Sequence, residues 1–117
     1  MAEHNIIGQK GEQIAVETMR KKGFRVVDTN WKFGHLEMDV IAVNRKEIAF
    51  VEVKTRTSSF GDKRPEEFVD ELKRRRMAAA ANAYIKIHQI ELVPRFDIIG
   101  ISMDPNTYEV KELTHLE

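Results

Sequence analysis

The strongest constraint on the fold is a pair of apolar, β-branched runs in the middle of the chain. Residues 36–43 and 47–55 are separated only by Asn44-Arg45-Lys46, whose polar side chains are typical of a turn. Two such runs with so short a connection predict an antiparallel β-hairpin. We expect the rest of the chain to be arranged around this hairpin.

Periodicity elsewhere predicts an α/β fold. Residues 7–22 have apolar and small side chains at helical spacing, and Gly23 follows as a natural helix end. After a predicted loop at residues 58–64, Pro65 and two acids suit the start of a second helix that reaches about His88. Further strands are predicted at residues 24–31, 95–103 and 108–113. The expected order is α-β-β-β-α-β-β, with a mixed central sheet flanked by helices.

Length and composition restrict the protein class. A chain of 117 residues that is 42% hydrophobic predicts one compact domain over residues 1–117. With no cysteine, the sequence excludes a disulfide scaffold, a cysteine-ligated metal site and a cysteine nucleophile. The chain has neither a long apolar run nor the pattern of a signal peptide, so we expect a cytoplasmic protein without membrane contact. Because 19 basic residues balance 19 acidic ones, nucleic-acid binding would depend on local patches.

Several acids fall on particular faces of the predicted hairpin. Alternate side chains of a strand share a face, so Glu52 and Lys54 project the same way. By the same rule Asp39 lies on one face of the preceding strand, with Met38 and Val40 turned to the other. The simplest alternative is that Glu52 and Lys54 form an ordinary surface ion pair.

The hairpin register brings two of these acids together. If Asn44 faces Glu47 across the turn, counting back along both strands places Asp39 directly opposite Glu52. Like charges in opposed positions are destabilising. Mg²⁺ would compensate them, because it favours oxygen ligands and commonly binds through one or two carboxylates. Lys54 would then be placed to orient a water or to stabilise negative charge on a phosphate.

The first predicted helix contributes a further acid. Glu12 falls inside the apolar arc of this helix, between Met19 and Val16. An acid on a buried border is costly without a partner, and Gly11 would let the helix pack closely against the sheet. We therefore expect Glu12 to reach the same site as Asp39.

Basic side chains are concentrated after the hairpin. Between Lys54 and Lys86 the positive residues outnumber the negative ones, which predicts a local phosphate-binding patch. A solvated helix face is the alternative for the run that begins at Lys73. Asp97 is expected to pair with Arg95 or Arg56. The candidate nucleic-acid contacts are Arg56, Lys63, Arg64, Lys73 and Arg76.

These motifs resemble the PD-(D/E)xK nuclease superfamily, and most closely the bacterial YraN-like family, which is similar to archaeal Holliday junction resolvases. The resemblance is found in Gly8-x-x-Gly11-Glu12, Asn30-Trp31, residues 35–41, residues 50–56 and Arg95-Phe96-Asp97. It implies a restriction-endonuclease-like core. It also implies that Glu12, Asp39 and Glu52 are catalytic acids that bind Mg²⁺ or Mn²⁺, that the Val53 carbonyl is a further ligand, and that Lys54 assists the attacking water.

The resemblance also implies a function. It predicts a metal-dependent endonuclease that acts on nucleic acid, with structured or branched DNA as the expected substrate. Because a junction resolvase acts through two active sites, a resolvase-like activity on branched DNA predicts a homodimer. The alternative is a non-catalytic nucleic-acid-binding module on the same fold.

Overall fold

The computed structural model describes residues 2–57 and 70–117. The elements follow the predicted order α-β-β-β-α-β-β. The predicted loop and the candidate contacts Lys63 and Arg64 lie outside the described residues. The second helix begins at Glu71, so the predicted start at Pro65 is wrong: Asp70 is extended and caps this helix. The elements are α1 (Ala2–Lys21), β1 (Arg25–Phe33), β2 (Leu36–Val43), β3 (Glu47–Arg56), α2 (Glu71–His88), β4 (Val93–Met103) and β5 (Val110–Leu116).

The strands form one mixed sheet in the order β1-β2-β3-β4-β5. Three neighbouring pairs are antiparallel, whereas β3 and β4 are parallel. Parallel neighbours need a long crossover, and the chain between β3 and β4 contains α2. Asp70 caps α2, since its carboxylate accepts a hydrogen bond of 2.8 Å from the Lys73 backbone N–H. This arrangement confirms the predicted α/β fold with a mixed sheet.

The two helices cover opposite faces of the sheet. Ala15 and Met19 of α1 pack with Val51 on one face, whereas Met77 of α2 packs with Phe50 on the other. Because both faces are buried, the central strands are apolar almost throughout. Neither α1 nor α2, as far as the chain is described, combines the length and apolar character needed to cross a membrane.

The predicted alternation of side chains fails at one position in β2. Met38 packs on the α2 side and Val40 on the α1 side, so the prediction that they share a face is wrong. In the neighbouring strand, Asn30 lies between the residues paired with Met38 and Val40, and its φ is +49°. This left-handed residue interrupts the regular pleat. Asp39 lies at the interruption.

A charged network joins β4 to β5. Arg95 donates hydrogen bonds of 2.9 and 2.7 Å to the two carboxylate oxygens of Asp97, which is fully buried. The predicted pair between Arg95 and Asp97 is therefore confirmed. His115 Nε2 lies 2.6 Å from Asp97 Oδ2. The hydrogen bond to Asp97 and its negative charge raise the pKa of Arg95, although burial opposes this.

Candidate functional site

The hairpin register positions Asp39 and Glu52. The pairs from Val43–Ile48 to Val40–Val51 have the predicted register, and Asp39 and Glu52 are the next residues along. The Val53 backbone N–H donates a hydrogen bond of 2.8 Å to Asp39 Oδ2. The Asp39 carboxylate thus accepts from a backbone N–H of β3 at the point where the regular β2–β3 pairing ends. The Asp39 side chain also hydrogen-bonds to the Glu52 carboxyl group. The structure therefore brings these two predicted acids together.

Glu52 is placed where its ionised form is unfavourable. Its side chain is only 12% exposed. Burial, followed by the hydrogen bond and negative charge of Asp39, raises the pKa of Glu52 to about 8, although Lys73 opposes this effect. Glu52 therefore retains its proton at neutral pH. A cation that binds there would have to displace this proton.

Lys73 contacts the acids directly. Its Nζ lies 3.0 Å from Glu52 Oε2, which places the first turn of α2 over the end of β3. Burial alone would lower the pKa of Lys73, but its hydrogen bond to Glu52 and the charges of Asp39 and Glu37 raise this pKa above its usual value. Lys73 was predicted as a nucleic-acid contact, and no pattern in the sequence predicted this ion pair.

Glu12 lines a cleft on the α1 side of the sheet. This cleft of about 320 Å³ is also lined by Asp39, Val53 and Asn30. Glu12 Oε1 accepts a hydrogen bond of 2.8 Å from the Asn30 amide. The structure therefore brings Glu12 and Asp39 to one cleft, as predicted. Asn30 was not predicted as a site residue, although Asn30-Trp31 belongs to the motifs that carry the family resemblance and an asparagine is unusual within a strand.

Close packing of α1 against β3 explains how Glu12 reaches the cleft. A Cβ atom at Gly11 would overlap the Thr55 methyl group, so only glycine allows this approach of the helix. Glu12 follows directly in the helix. Gly11 therefore allows the close packing that brings Glu12 to the cleft.

A second cleft lies on the α2 side of the same strand end. Lys54 lines it together with Glu52, Lys73 and Arg76. Val53 borders both clefts. Arg56 lies at the end of β3 and is half-buried. The predicted catalytic residues thus lie on two sides of one strand end.

The donor atoms suit a hard cation. Asp39 and Glu52 supply only oxygen atoms, which Mg²⁺ and Mn²⁺ prefer, and Mg²⁺ commonly binds through one or two carboxylates and several waters. Within residues 2–57 and 70–117, no three acidic or histidine side chains are grouped closely enough to hold a metal. The two adjacent carboxyl groups are therefore the donors that fit a divalent ion.

The sequence matches the family described as uncharacterised protein family UPF0102 over residues 11–101, a range that contains all these acids. The chain belongs to the UPF0102 family. This family, which is YraN-like, is a PD-(D/E)xK nuclease-like family, so the resemblance seen in the sequence is confirmed.

UPF0102 relatives match along most of their length. The Porphyromonas gingivalis protein is 38% identical over 117 residues, which is 100% of this chain and 85% of the relative. The Bacteroides thetaiotaomicron protein is 39% identical over 113 residues, which is 97% of this chain and 93% of the relative. The Parabacteroides distasonis protein is 46% identical over 101 residues, which is 86% of this chain and 83% of the relative. All three are named only as UPF0102 proteins.

Proposed function

We propose that this UPF0102 protein is a divalent-metal-dependent endonuclease that hydrolyses phosphodiester bonds in structured or branched DNA. The observation that supports it best is the contact between the Asp39 and Glu52 carboxyl groups at the end of the hairpin. Holding two acids together in a largely buried position is unfavourable for folding, and an acid whose pKa is raised as strongly as that of Glu52 is typical of functional sites.

Asp39 and Glu52 would hold the metal, Mg²⁺ or Mn²⁺. Glu12 and the Val53 carbonyl are proposed as further ligands, because both residues line the cleft that contains Asp39. Glu12 is hydrogen-bonded to Asn30 and is not grouped with the other two acids, so it would bind the metal through a water. When bound, the metal supplies positive charge at the phosphate and lowers the pKa of the attacking water. Its binding would also remove the repulsion between the two carboxylates.

The basic residues would act on the phosphate. Lys54 lines the cleft that contains Glu52, and we assign it to the attacking water and to negative charge that develops on phosphate. Lys73 and Arg76 line the same cleft and would contact the DNA backbone, together with Arg56. Lys63 and Arg64 belong to the same predicted patch. Two such sites in a homodimer would serve the two strands of a branched substrate in the cytoplasm.

A cleavage assay tests this proposal. Labelled four-way junction and duplex DNA would be incubated with the protein and Mg²⁺ or Mn²⁺, alongside Asp39→Asn and Glu52→Gln. We expect both substitutions to reduce cleavage by more than about 100-fold, because each removes a metal ligand. Glu71→Gln is the matched control, since the Glu71 side chain is 72% exposed and pairs with Arg75 on the surface. Thermal unfolding would confirm that the variants fold, and cleavage retained by folded Asp39→Asn and Glu52→Gln would refute the assignment.

The ion pair between Lys73 and Glu52 favours a second candidate function, a nucleic-acid-binding module without turnover. Lys73 Nζ contacts Glu52 at 3.0 Å without a metal, as it would in a purely structural pair. Under this alternative, DNA binding would survive both EDTA and Asp39→Asn, and it would weaken steeply with salt. Metal-dependent cleavage lost in Asp39→Asn would exclude it.

A further inference from the structure

An aromatic stack ends at an exposed ring near the candidate site. Phe33, the last residue of β1, is 50% exposed. Its ring lies parallel to that of Trp31, with an angle of 3° and a centroid distance of 6.0 Å. Trp31 in turn contacts Tyr84 edge-on at 5.1 Å, and Tyr84 packs against buried Phe50. The stack is thus anchored in the core at one end and exposed to solvent at the other.

The anchored end restrains the ring at the exposed end. The Tyr84 hydroxyl donates a hydrogen bond of 3.1 Å to Asp28, and Trp31 packs against the α2-side core. A ring that is already held in place loses little conformational freedom when a planar group stacks on it. Nucleobases are planar groups of this kind, and each has a π-face that stacks on aromatic side chains whatever its identity.

The exposed ring lies on the α2 side of the sheet, as does the cleft that contains Glu52. Phe33 pairs with Leu36, which precedes Asp39 by three residues of β2. At about 3.3 Å per residue this corresponds to about 10 Å along the strand. Phe33 and the carboxyl groups therefore lie towards the same end of these strands.

Positive charge lies in the same region. Leu36 lines a small pocket together with two basic residues, Lys73 and Arg76, and one acid, Glu37, and Lys73 also contacts Glu52. Single-stranded nucleic acid binds where a positively charged groove follows its backbone and aromatic side chains stack on its bases. Phe33 provides the aromatic surface for such binding, and Lys73 and Arg76 provide positive charge near its strand partner Leu36.

From these contacts we propose that Phe33 stacks on an unpaired nucleobase and so directs the protein to DNA with single-stranded or unpaired positions. In a duplex each base is covered by its neighbours, so only an unpaired or terminal base can offer a face to the ring. The inference rests on the proposed function and specifies the part of the substrate that is recognised. Phe33 is proposed to bind DNA, whereas the Asp39 and Glu52 carboxyl groups are proposed to act in cleavage.

The test compares DNA binding by the wild type and Phe33→Ala. Fluorescence anisotropy would measure the affinity for labelled oligothymidine and for a duplex of the same length, both with EDTA. We expect Phe33→Ala to weaken binding of the single strand about 5- to 150-fold, which is the range for loss of one stacked base, and to change duplex binding little. Phe33→Trp should retain binding. Quenching of Trp31, the only tryptophan, should accompany single-strand binding by the wild type.

Phe96→Ala is the matched control. Phe96 is an exposed phenylalanine on β4, 42% exposed, whose ring is tilted by 36° against Phe50. Phe96→Ala should bind the single strand like the wild type. An equal loss in Phe33→Ala and Phe96→Ala, an equal loss for single strand and duplex, or wild-type affinity in Phe33→Ala would each overturn the inference.

Cleavage by the wild type in Mn²⁺ separates this inference from the proposed function. If junction DNA is cleaved and Phe33→Ala binds single strands normally, the inference is wrong and the nuclease proposal stands. If Phe33→Ala loses single-strand binding but the wild type cleaves nothing, the inference stands and the nuclease proposal fails. If the wild type binds no DNA, both fail.

Discussion

The position of Glu52 predicts that this side chain makes the stability of the protein depend on pH. Its pKa is about 8 in the folded protein, compared with an ordinary value of 4.5. Between these values the folded state retains a proton that the unfolded state has lost. The stabilisation is therefore fully present below about pH 4.5, and it is lost as the pH rises through about 8.

The size of the effect follows from the pKa difference. A group that is protonated in one state only changes the free energy of unfolding by at most about 1.4 kcal/mol per pH unit. Over the whole window the upper limit is about 5 kcal/mol, and between pH 5 and 8 we expect a change of about 2 to 4 kcal/mol. Glu52→Gln has nearly the same shape and cannot titrate, so it removes this contribution.

Urea denaturation between pH 5 and 8, with EDTA present, measures the effect. The stability of Glu52→Gln relative to the wild type should increase steadily with pH. Glu71→Gln should show a constant difference from the wild type, because Glu71 is exposed at the surface. Parallel stability curves for the wild type and Glu52→Gln would refute the reasoning, since they would show that Glu52 titrates normally.

Three further predictions concern packing and buried polar groups, each measured by urea denaturation. Gly11→Ala should destabilise the protein by about 1–3 kcal/mol because its methyl group overlaps Thr55, whereas Gly8→Ala, with nothing within 4 Å, should stabilise it by about 0.5–1 kcal/mol. Asp97→Ala should lower the free energy of unfolding by about 3–5 kcal/mol because Arg95 loses its buried partner. A decrease below about 1 kcal/mol would contradict the importance of this pair. Tyr84→Phe should cost about 1 kcal/mol through its lost hydrogen bond to Asp28, and an unchanged stability would argue against that bond.

The hairpin could be predicted because its determinants are local. A short turn fixes the register, and the register alone placed Asp39 beside Glu52. The Arg95–Asp97 pair could be predicted for a similar reason, because alternate residues of a strand share a face. Glu12 was found through its position on the helix and the adjacent Gly11.

Contacts that depend on distant parts of the chain could not be predicted. The ion pair between Lys73 and Glu52 requires α2 to begin over the end of β3, and no local pattern specifies that placement. The interrupted pleat at Asp39 depends on the left-handed conformation of Asn30 in the neighbouring strand. Propensity alone does not show which residue of a strand adopts such a conformation.

The central claim is that Asp39 and Glu52 together hold a divalent cation. Isothermal titration calorimetry with Mn²⁺ and Mg²⁺ at pH 8, with wild type, Asp39→Asn and Glu71→Gln, tests it most directly. We expect binding by the wild type and Glu71→Gln, tighter at pH 8 than at pH 6 because the Glu52 proton must leave, and none by Asp39→Asn. Equal binding by folded Asp39→Asn, or no binding by the wild type with or without branched DNA, would contradict it.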